Sequence, residues 1–329
     1  MADMTVVAEQ FAELRPELVG YCYRMLGSAF EADDAAQETM LRAWRRADSF
    51  EGRSSVRTWI YRIATNVCLD LLRERGRRAV PIDLGPASPV EAFSPAEPAD
   101  QLWLTPLPTD PGDVVADRDT IRLAFVAALQ HLPARQRAVL ILRDVLGWPA
   151  ADVAALLEAS TGAVNAMLQR ARTTLAGRGV SDSALSGDEK ALVARYADAF
   201  QRYDVDTLVT LLHQDAVQTM PPIAAWIRGA AEIGRFLLGP GHECRDSRLV
   251  PVTGNGMPGH GHYRRHGDRW LPWSIQLIEV RGDRIAGLHT FLDTRLFPVF
   301  GLPTVLNPSA GTSNRYDDEQ QPSGDRVPR

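Results

Sequence analysis

Between residues 80 and 117 the chain carries seven acidic residues, no basic residue and recurrent prolines. Each proline fixes φ and removes a backbone donor, so neither a long helix nor a central strand can cross this stretch. It reads as a linker over 80–118, and the chain must fold in pieces on its two sides. One apolar patch, LWLTPLP, interrupts it. A tryptophan and leucines in a polar, otherwise disordered tether need cover, so Trp103, Leu104, Pro106 and Leu107 are expected to dock on a folded domain.

The 329 residues suffice for two or three domains. The net charge of −5 does not point to nucleic acid, but it averages over a strong asymmetry. Residues 42–78 hold ten arginines against four acids, directly before the acidic linker. Such blocks suit a protein that meets both a polyanion and a basic surface. Cys22, Cys68 and Cys244 lie too far apart for a metal or redox spacing and form an odd set for disulfides. A reducing cytoplasm is therefore expected. No apolar run approaches the ~20 residues of a membrane span, and no signal-peptide core opens the chain.

Ahead of the linker the chain reads as helical, and its most patterned stretch is TWIYRIATNVCLDLLRERGRR at 58–78. Ile60, Ala64, Val67, Cys68 and Leu71 recur at three- and four-residue steps and form a core face. Trp59, Arg62, Asn66, Asp70, Arg73 and Arg77 fall within a band of roughly 80° at ~100° per residue. A ring, an amide and guanidiniums on one stripe suit a nucleic-acid strand. The same stripe would also serve as a solvated face edged by a packed tryptophan, and the helix alone leaves both readings open.

Helical periodicity returns over 119–176. In LPARQRAVLILRDVLGWPAADVAALLEASTGAVNAMLQRARTTL two short helices precede a third. Pro149 suits a first turn, and Val153, Leu156 and Leu157 face inward. Ser160 or Thr161 can cap the third helix, whose core stripe is Val164, Leu168, Ala171 and Leu175. Its other face carries Gly162, Asn165, Ala166, Gln169, Arg170, Arg172 and Thr173. Small and amide residues followed by arginines equip a helix to enter a major groove. An ordinary three-helix bundle would show the same core spacing.

With both blocks read, DDAAQETMLRAWRRADSFEGRSSVRTWIYRIATNVCLDLLRERGRR resembles conserved region 2 of the extracytoplasmic-function sigma factors, the small bacterial promoter-recognition subunits. DVAALLEASTGAVNAMLQRARTTL resembles their region 4. The resemblance covers about the first 180 residues, with the two motifs in the family's order around an acidic connection. Further on, KALVARYADAFQRYDVDTLVTLLHQDAV, followed by MPP, W and G, resembles a SnoaL-like domain of the NTF2 cone fold. That combination is closest to the SigG-type group. The resemblance implies a multi-domain fold: an all-α region 2 bundle at 1–79, the linker, an all-α region 4 helix-turn-helix at 119–180, an α+β cone at 186–303 and a disordered tail at 304–329.

The resemblance also implies a function and roles. The chain would bind core RNA polymerase, through its beta and beta-prime subunits, and direct promoter-specific transcription initiation on promoter DNA. Holding a melted strand at the −10 element would fall to Arg53, Arg57, Trp59, Arg62, Asn66, Arg73 and Arg77. Single strands need stacking surfaces, cationic tracking of the backbone and partners for an unstacked base edge. Asp70 would orient a neighbouring arginine. Reading the −35 element would fall to Gly162, Asn165, Ala166, Gln169, Arg170 and Arg172. Polymerase contact would fall to Asp33, Asp34, Gln37, Glu38 and Trp44, with Glu31 beside them, although such acids also complement a helix N-terminus. The linker acids suit a segment threading a channel built for RNA. Region 4 departs from the family: Glu158 stands where a glycine is common. Ala163, Val164, Asn165, Ala166 and Met167 replace a Thr-Val-Lys-Ser-Arg run. Two missing cations should lower non-specific DNA affinity.

For the third piece, pocket residues are expected among Tyr203, His213, Asp215, Met220, Trp226, Phe236, Trp273, His289, Phe291 and Asp293, leaving room for a small-molecule ligand in the C-terminal domain. Three readings stand. The domain regulates the sigma regions in cis, contacting LWLTPLP and replacing a separate anti-sigma protein. It is a cyclase or isomerase with an Asp or His base. Or the whole chain is a ligand-responsive helix-turn-helix regulator. The first is preferred, so neither enzymatic activity nor a cofactor is expected. His260, His262 and His266 read as part of a Gly-rich loop without carboxylate or thiolate partners, so no metal is expected.

Overall fold

The computed structural model describes residues 4–47, 50, 52, 54–93, 101–109, 122–176 and 187–307. The first piece is three helices, α1 Met4–Leu26, α2 Ala29–Arg45 and α3 Val56–Glu74. Gly27 turns the chain between α1 and α2 at φ 70°, a conformation that favours glycine. Ser28 and Ser55 then cap α2 and α3, accepting from the Glu31 and Thr58 amides. The buried face of α3 is wider than its periodicity suggests. It includes Tyr61, Ile63, Thr65 and Leu69, while Leu71 stays half-buried. The reason is tertiary, because α3 is covered on two sides.

The second cover is the second helical piece: α4 Leu123–Leu129, α5 Ala134–Leu140 with a π turn Ile141–Val145, α6 Ala150–Leu156 and α7 Thr161–Ala176. Pro133 and Pro149 stand at the N-caps of α5 and α6, and the Ser160 hydroxyl accepts from the Ala163 amide at 3.1 Å to cap α7. Arg137 of α5 is buried (3 % exposed) and reaches across to donate to the Met25 carbonyl of α1, and also to Gln130 and the Leu132 carbonyl. Burial lowers its pKa to about 10. The Tyr61 and Trp148 rings meet at 5.0 Å between the same two pieces.

The third piece opens with α8 Gly187–Gln201 and α9 Val205–Leu211 and continues into β1 Leu212–Met220, β2 Ile223–Arg228, α10 Ala230–Leu238, β3 Arg248–Gly254, β4 Met257–His266, β5 Arg269–Arg281, β6 Arg284–Phe291 and α11 Leu296–Val299. The sheet runs in the order β2-β1-β6-β5-β4-β3, with β1 parallel to β6 and the other neighbours antiparallel. Asn255 and Gly256, at φ 52° and 67°, make the two-residue turn of the β3–β4 hairpin. One face of the sheet packs on α8, α9 and α10 through Tyr196, Phe200, Leu208, Ile233, Ile278 and Leu288. The other face, with Ile275, Leu277 and Phe291, and Phe297 of α11 share a single core with Leu18, Ile60, Leu129 and Leu140 of the helical pieces.

Three expectations are corrected here. His260 and His262 lie in strand β4, not in a Gly-rich loop, and His266 ends that strand. The glycines alternate with the histidines because the two faces need different volumes: a Cβ at Gly261 would sit 2.3 Å from Leu302 Cδ1. On the opposite face His262 Nε2 lies 2.7 Å from the Ser247 hydroxyl, and its ring meets Phe200 edge-on at 5.2 Å. Among the described residues no group of three His, Cys, Asp or Glu could hold a metal.

Second, the described parts of the linker are seated rather than tethering. Trp226 donates through Nε1 to the Gly85 carbonyl at 2.9 Å, the Ser88 amide donates to the Trp226 carbonyl at 2.8 Å, and Phe93 meets Phe236 at 5.0 Å. Proline limits helix here to single 3-10 turns, Pro81–Asp83 and Val90–Ala92, but leaves apolar side chains free to find a sheet. Third, Leu306 exchanges backbone hydrogen bonds with Trp270, so the packed chain runs past residue 303. Residues 308–329 of the expected tail lie outside the described residues.

Candidate nucleic-acid interface

Helix α3 shows Arg62, Asn66 and Arg73 exposed along one line, with Trp59 half-buried at its start. Trp59 packs on Phe50 at 5.2 Å, so one ring face is already used. Asp70 accepts from Arg73 at 2.8 Å and lies 3.5 Å from Arg42. Arg57 donates to Glu17 on α1 at 2.5 Å and lies over the Tyr61 ring. Arg77 departs from the stripe. Helix α3 ends at Glu74, and Arg77 turns toward His131 at 2.5 Å and Asp83 at 3.8 Å. Arg53 lies outside the described residues.

Helix α7 exposes Gly162, Asn165, Ala166, Gln169, Arg170 and Arg172 and buries Val164, Leu168 and Ala171. Arg172, although exposed, is held in a bidentate pair by Asp144 at 2.9 and 2.7 Å, and Arg170 is exposed beside it. The preceding turn puts Glu158 at φ 52°, a left-handed backbone in which glycine is the least strained residue.

On α2, Asp34 and Gln37 are exposed and Trp44 is 55 % exposed. Asp33 pairs with Arg15 at 2.5 Å and accepts from Gln37 at 2.7 Å, and Glu38 pairs with Arg42 at 2.7 Å. Leu41, also exposed, stands one turn before Trp44 and lies outside the expected set. The helical spacing 34, 37, 41, 44 marks it as part of the same outward face. Glu31 points away from this face, into a pair with Arg75 and Arg78.

The two candidate faces are tied together. Arg62 of α3 pairs with Glu158, in the turn before α7. A second tie passes through LWLTPLP. Leu104 is buried and Pro106 with it, while Trp103 and Leu107 are half-buried. The Thr105 amide donates to the Gly27 carbonyl at 3.1 Å, and the Tyr23 hydroxyl donates to the Thr105 carbonyl at 2.9 Å. On the other side the Leu107 amide donates to Asn255 Oδ1 at 2.9 Å, the Asn255 amide donates to the Leu107 carbonyl at 2.8 Å, and Asn255 Nδ2 donates to the Tyr23 hydroxyl at 2.8 Å. One peptide segment is thus clasped between the α1–α2 corner and the β3–β4 hairpin.

The expected pocket residues are not brought together. His289 and Phe291 line a cavity on the sheet face turned to the helical pieces. His213 and Asp215 line a polar recess that adjoins it but does not include His289 or Phe291. Met220 and Phe236 belong to the inner core with α8 to α10. The Tyr203 hydroxyl donates to the Leu237 and Gly241 carbonyls, Trp226 holds the linker, and Trp273 lies under the Arg264 guanidinium at 3.5 Å. Asp293 pairs with Arg295. Strand alternation sends these residues to different faces, which a scan for aromatic and titratable residues does not resolve.

Family models match three stretches: Sigma-70 region 2 at 11–78, Sigma-70 region 4 at 122–175 and a SnoaL-like domain at 193–288. The chain is 45 % identical over 307 residues to the ECF RNA polymerase sigma factor SigG of Mycobacterium tuberculosis, covering 89 % of this chain and 82 % of that one. It is 28 % identical over 308 residues to SigJ of the same species, covering 85 % and 89 %. The crystal structure of Mycobacterium tuberculosis SigJ superposes with a TM-score of 0.61 at 24 % identity, covering 90 % of this chain and 100 % of the other.

Proposed function

The chain belongs to the extracytoplasmic-function sigma factors, and from that premise we propose that it is a sigma factor held closed by its own C-terminal domain. It binds core RNA polymerase and promoter DNA. Helix α3 holds the melted −10 strand through Trp59, Arg62, Asn66 and Arg73. Helix α7 reads the −35 element, with Asn165 and Gln169 on bases and Arg170 on phosphate. The α2 face with Asp34, Gln37, Leu41 and Trp44 meets the polymerase.

The observation that carries the closed form is the Arg62–Glu158 pair. Elements ~25 base pairs apart lie roughly 85 Å apart along B-DNA at about 3.4 Å per pair. A −10 face joined to the turn before the −35 helix cannot span that distance, so promoter binding requires the two pieces to separate. The third domain opposes separation by clasping the segment between them through Asn255. Being on the same chain, it acts at high effective concentration without tight contacts. It takes the place of a separate anti-sigma protein.

Run-off transcription with core polymerase tests this. A chain ending at residue 185, with its helicity verified, should give several-fold more transcript than the full chain. Replacing Trp59, Asn66 and Arg73 together by alanine should abolish open-complex formation in a folded protein. Equal output from the full and shortened chains would sink regulation in cis. Open complexes formed by the triple variant would sink the α3 assignment.

A further inference from the structure

Between the sheet and the helical pieces lies a cavity of about 220 Å³. Its walls come from three parts of the chain: Pro81 and Ile82 of the linker, Leu123 and Ala124 of α4, and strands β1, β5 and β6 of the third domain. Most of this wall is apolar. Part of its polar lining converges at one place. Thr219 Oγ1 lies 3.2 Å from His289 Nδ1, and His289 Nε2 lies 3.5 Å from Glu279 Oε2. When the Thr219 hydroxyl donates to Nδ1, Nε2 carries the proton and faces the carboxylate. The gap of 3.5 Å exceeds the ~2.7–3.2 Å of a well-formed N–H···O bond, so both groups retain capacity for a third partner. The neighbouring His289 lowers the Glu279 pKa and keeps the carboxylate ionised. Gly287 makes the arrangement possible: a Cβ there would stand 2.8 Å from His289 Nε2 and 3.1 Å from Glu279 Oε2. Val217, Glu279 and Arg281 also line the polar recess that holds His213 and Asp215, so the cavity adjoins the surface.

We propose that this cavity binds a small, largely apolar molecule carrying one hydroxyl group. The hydroxyl sits between His289 and Glu279, accepting from Nε2–H and donating to the carboxylate. The apolar body lies against α4 and the linker. An apolar cavity of ~150 Å³ accepts a benzene ring, so this one accepts a fused bicycle. The site lies between domains: α4, the linker, the sheet and Glu189 at the start of α8 all line it. A molecule there touches all three parts, and it favours the arrangement in which they meet by its difference in affinity for the two states. That last consequence rests on the closed-form reading; the site itself does not.

The test uses the full chain and 2-naphthol, with 2-methoxynaphthalene as the matched compound lacking a donor. Titration followed by naphthol fluorescence should saturate at one equivalent, with 2-naphthol bound about tenfold tighter than the ether. Glu279→Gln should remove that preference and leave ether binding unchanged. Ala124→Trp and Ile82→Trp, both at exposed wall positions that tolerate bulk, should each abolish binding of both compounds. Absence of saturable binding, or binding indifferent to both tryptophans, overturns the site. Equal affinity for naphthol and its ether overturns the hydroxyl assignment. Core polymerase should displace bound naphthol. Binding that persists in the polymerase complex would sink the coupling to closure while leaving the site standing.

Discussion

Arg62 is paired with Glu158 in this fold and is proposed to hold a DNA strand, and that makes the pair informative. Their side chains are 47 % and 74 % exposed, and such a pair contributes only ~0–1 kcal/mol. Glu158→Ala should therefore change thermal stability little. It should still strengthen binding of a single-stranded −10 oligonucleotide, because Arg62 is released. Arg62→Ala should weaken the same binding. Fluorescence anisotropy distinguishes the two, and equal effects would sever the pair from DNA binding. His260 and His262 act differently. Burial lowers their pKa values to about 4 and about 3 from an ordinary value near 6.5, so the folded state holds them neutral. The unfolded chain takes up their protons first. Their contribution is complete above pH ~6.5 and is lost as pH falls toward the folded values, by roughly 2–3 kcal/mol each at pH 4.5. Urea denaturation at pH 7 and pH 4.5 should show this loss, and His260→Gln with His262→Gln should flatten it. An unchanged pH slope in the double variant would assign the acid sensitivity elsewhere.

Among elements, α3 and α7 lie close to where their spacing and caps place them, and β4 does not. A helix carries its signal in a local period and in capping serines, as Ser55 and Ser160 illustrate. MPGHGHYRRH reads as a loop because glycines usually punctuate. In the structure Gly261 is the small partner of Leu302, a contact made by chain some forty residues later. Gly261→Ala should cost about 1–3 kcal/mol by overpacking, measured from the urea midpoint. Adding Leu302→Ala should restore part of that loss, since the two positions share one space. Strictly additive losses would place the strain elsewhere. Arg77 makes the converse point: its spacing fits the stripe, but the helix ends three residues earlier and the side chain goes to Asp83.

At the scale of the whole molecule, Asn255 links pieces far apart in sequence. It is fully buried and bonds both to Leu107 of the linker and to Tyr23 of α1. Asn255→Ala would strand the Leu107 amide, a loss of about 1–3 kcal/mol for a buried group left unpaired. If this clasp restrains the sigma regions, the variant should be less stable and yet give more transcript per molecule with core polymerase. Lower stability with unchanged transcript would confine Asn255 to a structural role.

What the sequence determined by itself was local and periodic: two helical pieces, a third α+β piece, the order of the three, and the exposed faces of α3 and α7. Those follow from interactions within a few residues, where spacing, caps and turns act. Only the tertiary structure decided that the proline-rich stretch is seated, that Arg62 meets Glu158, that the histidines of β4 are buried and neutral, and that His289 and Glu279 face a cavity between domains. An apolar or charged side chain announces that it needs a partner, but not which one. The choice among partners is made by packing between distant segments, where shape and the shared exclusion of water outweigh any local preference.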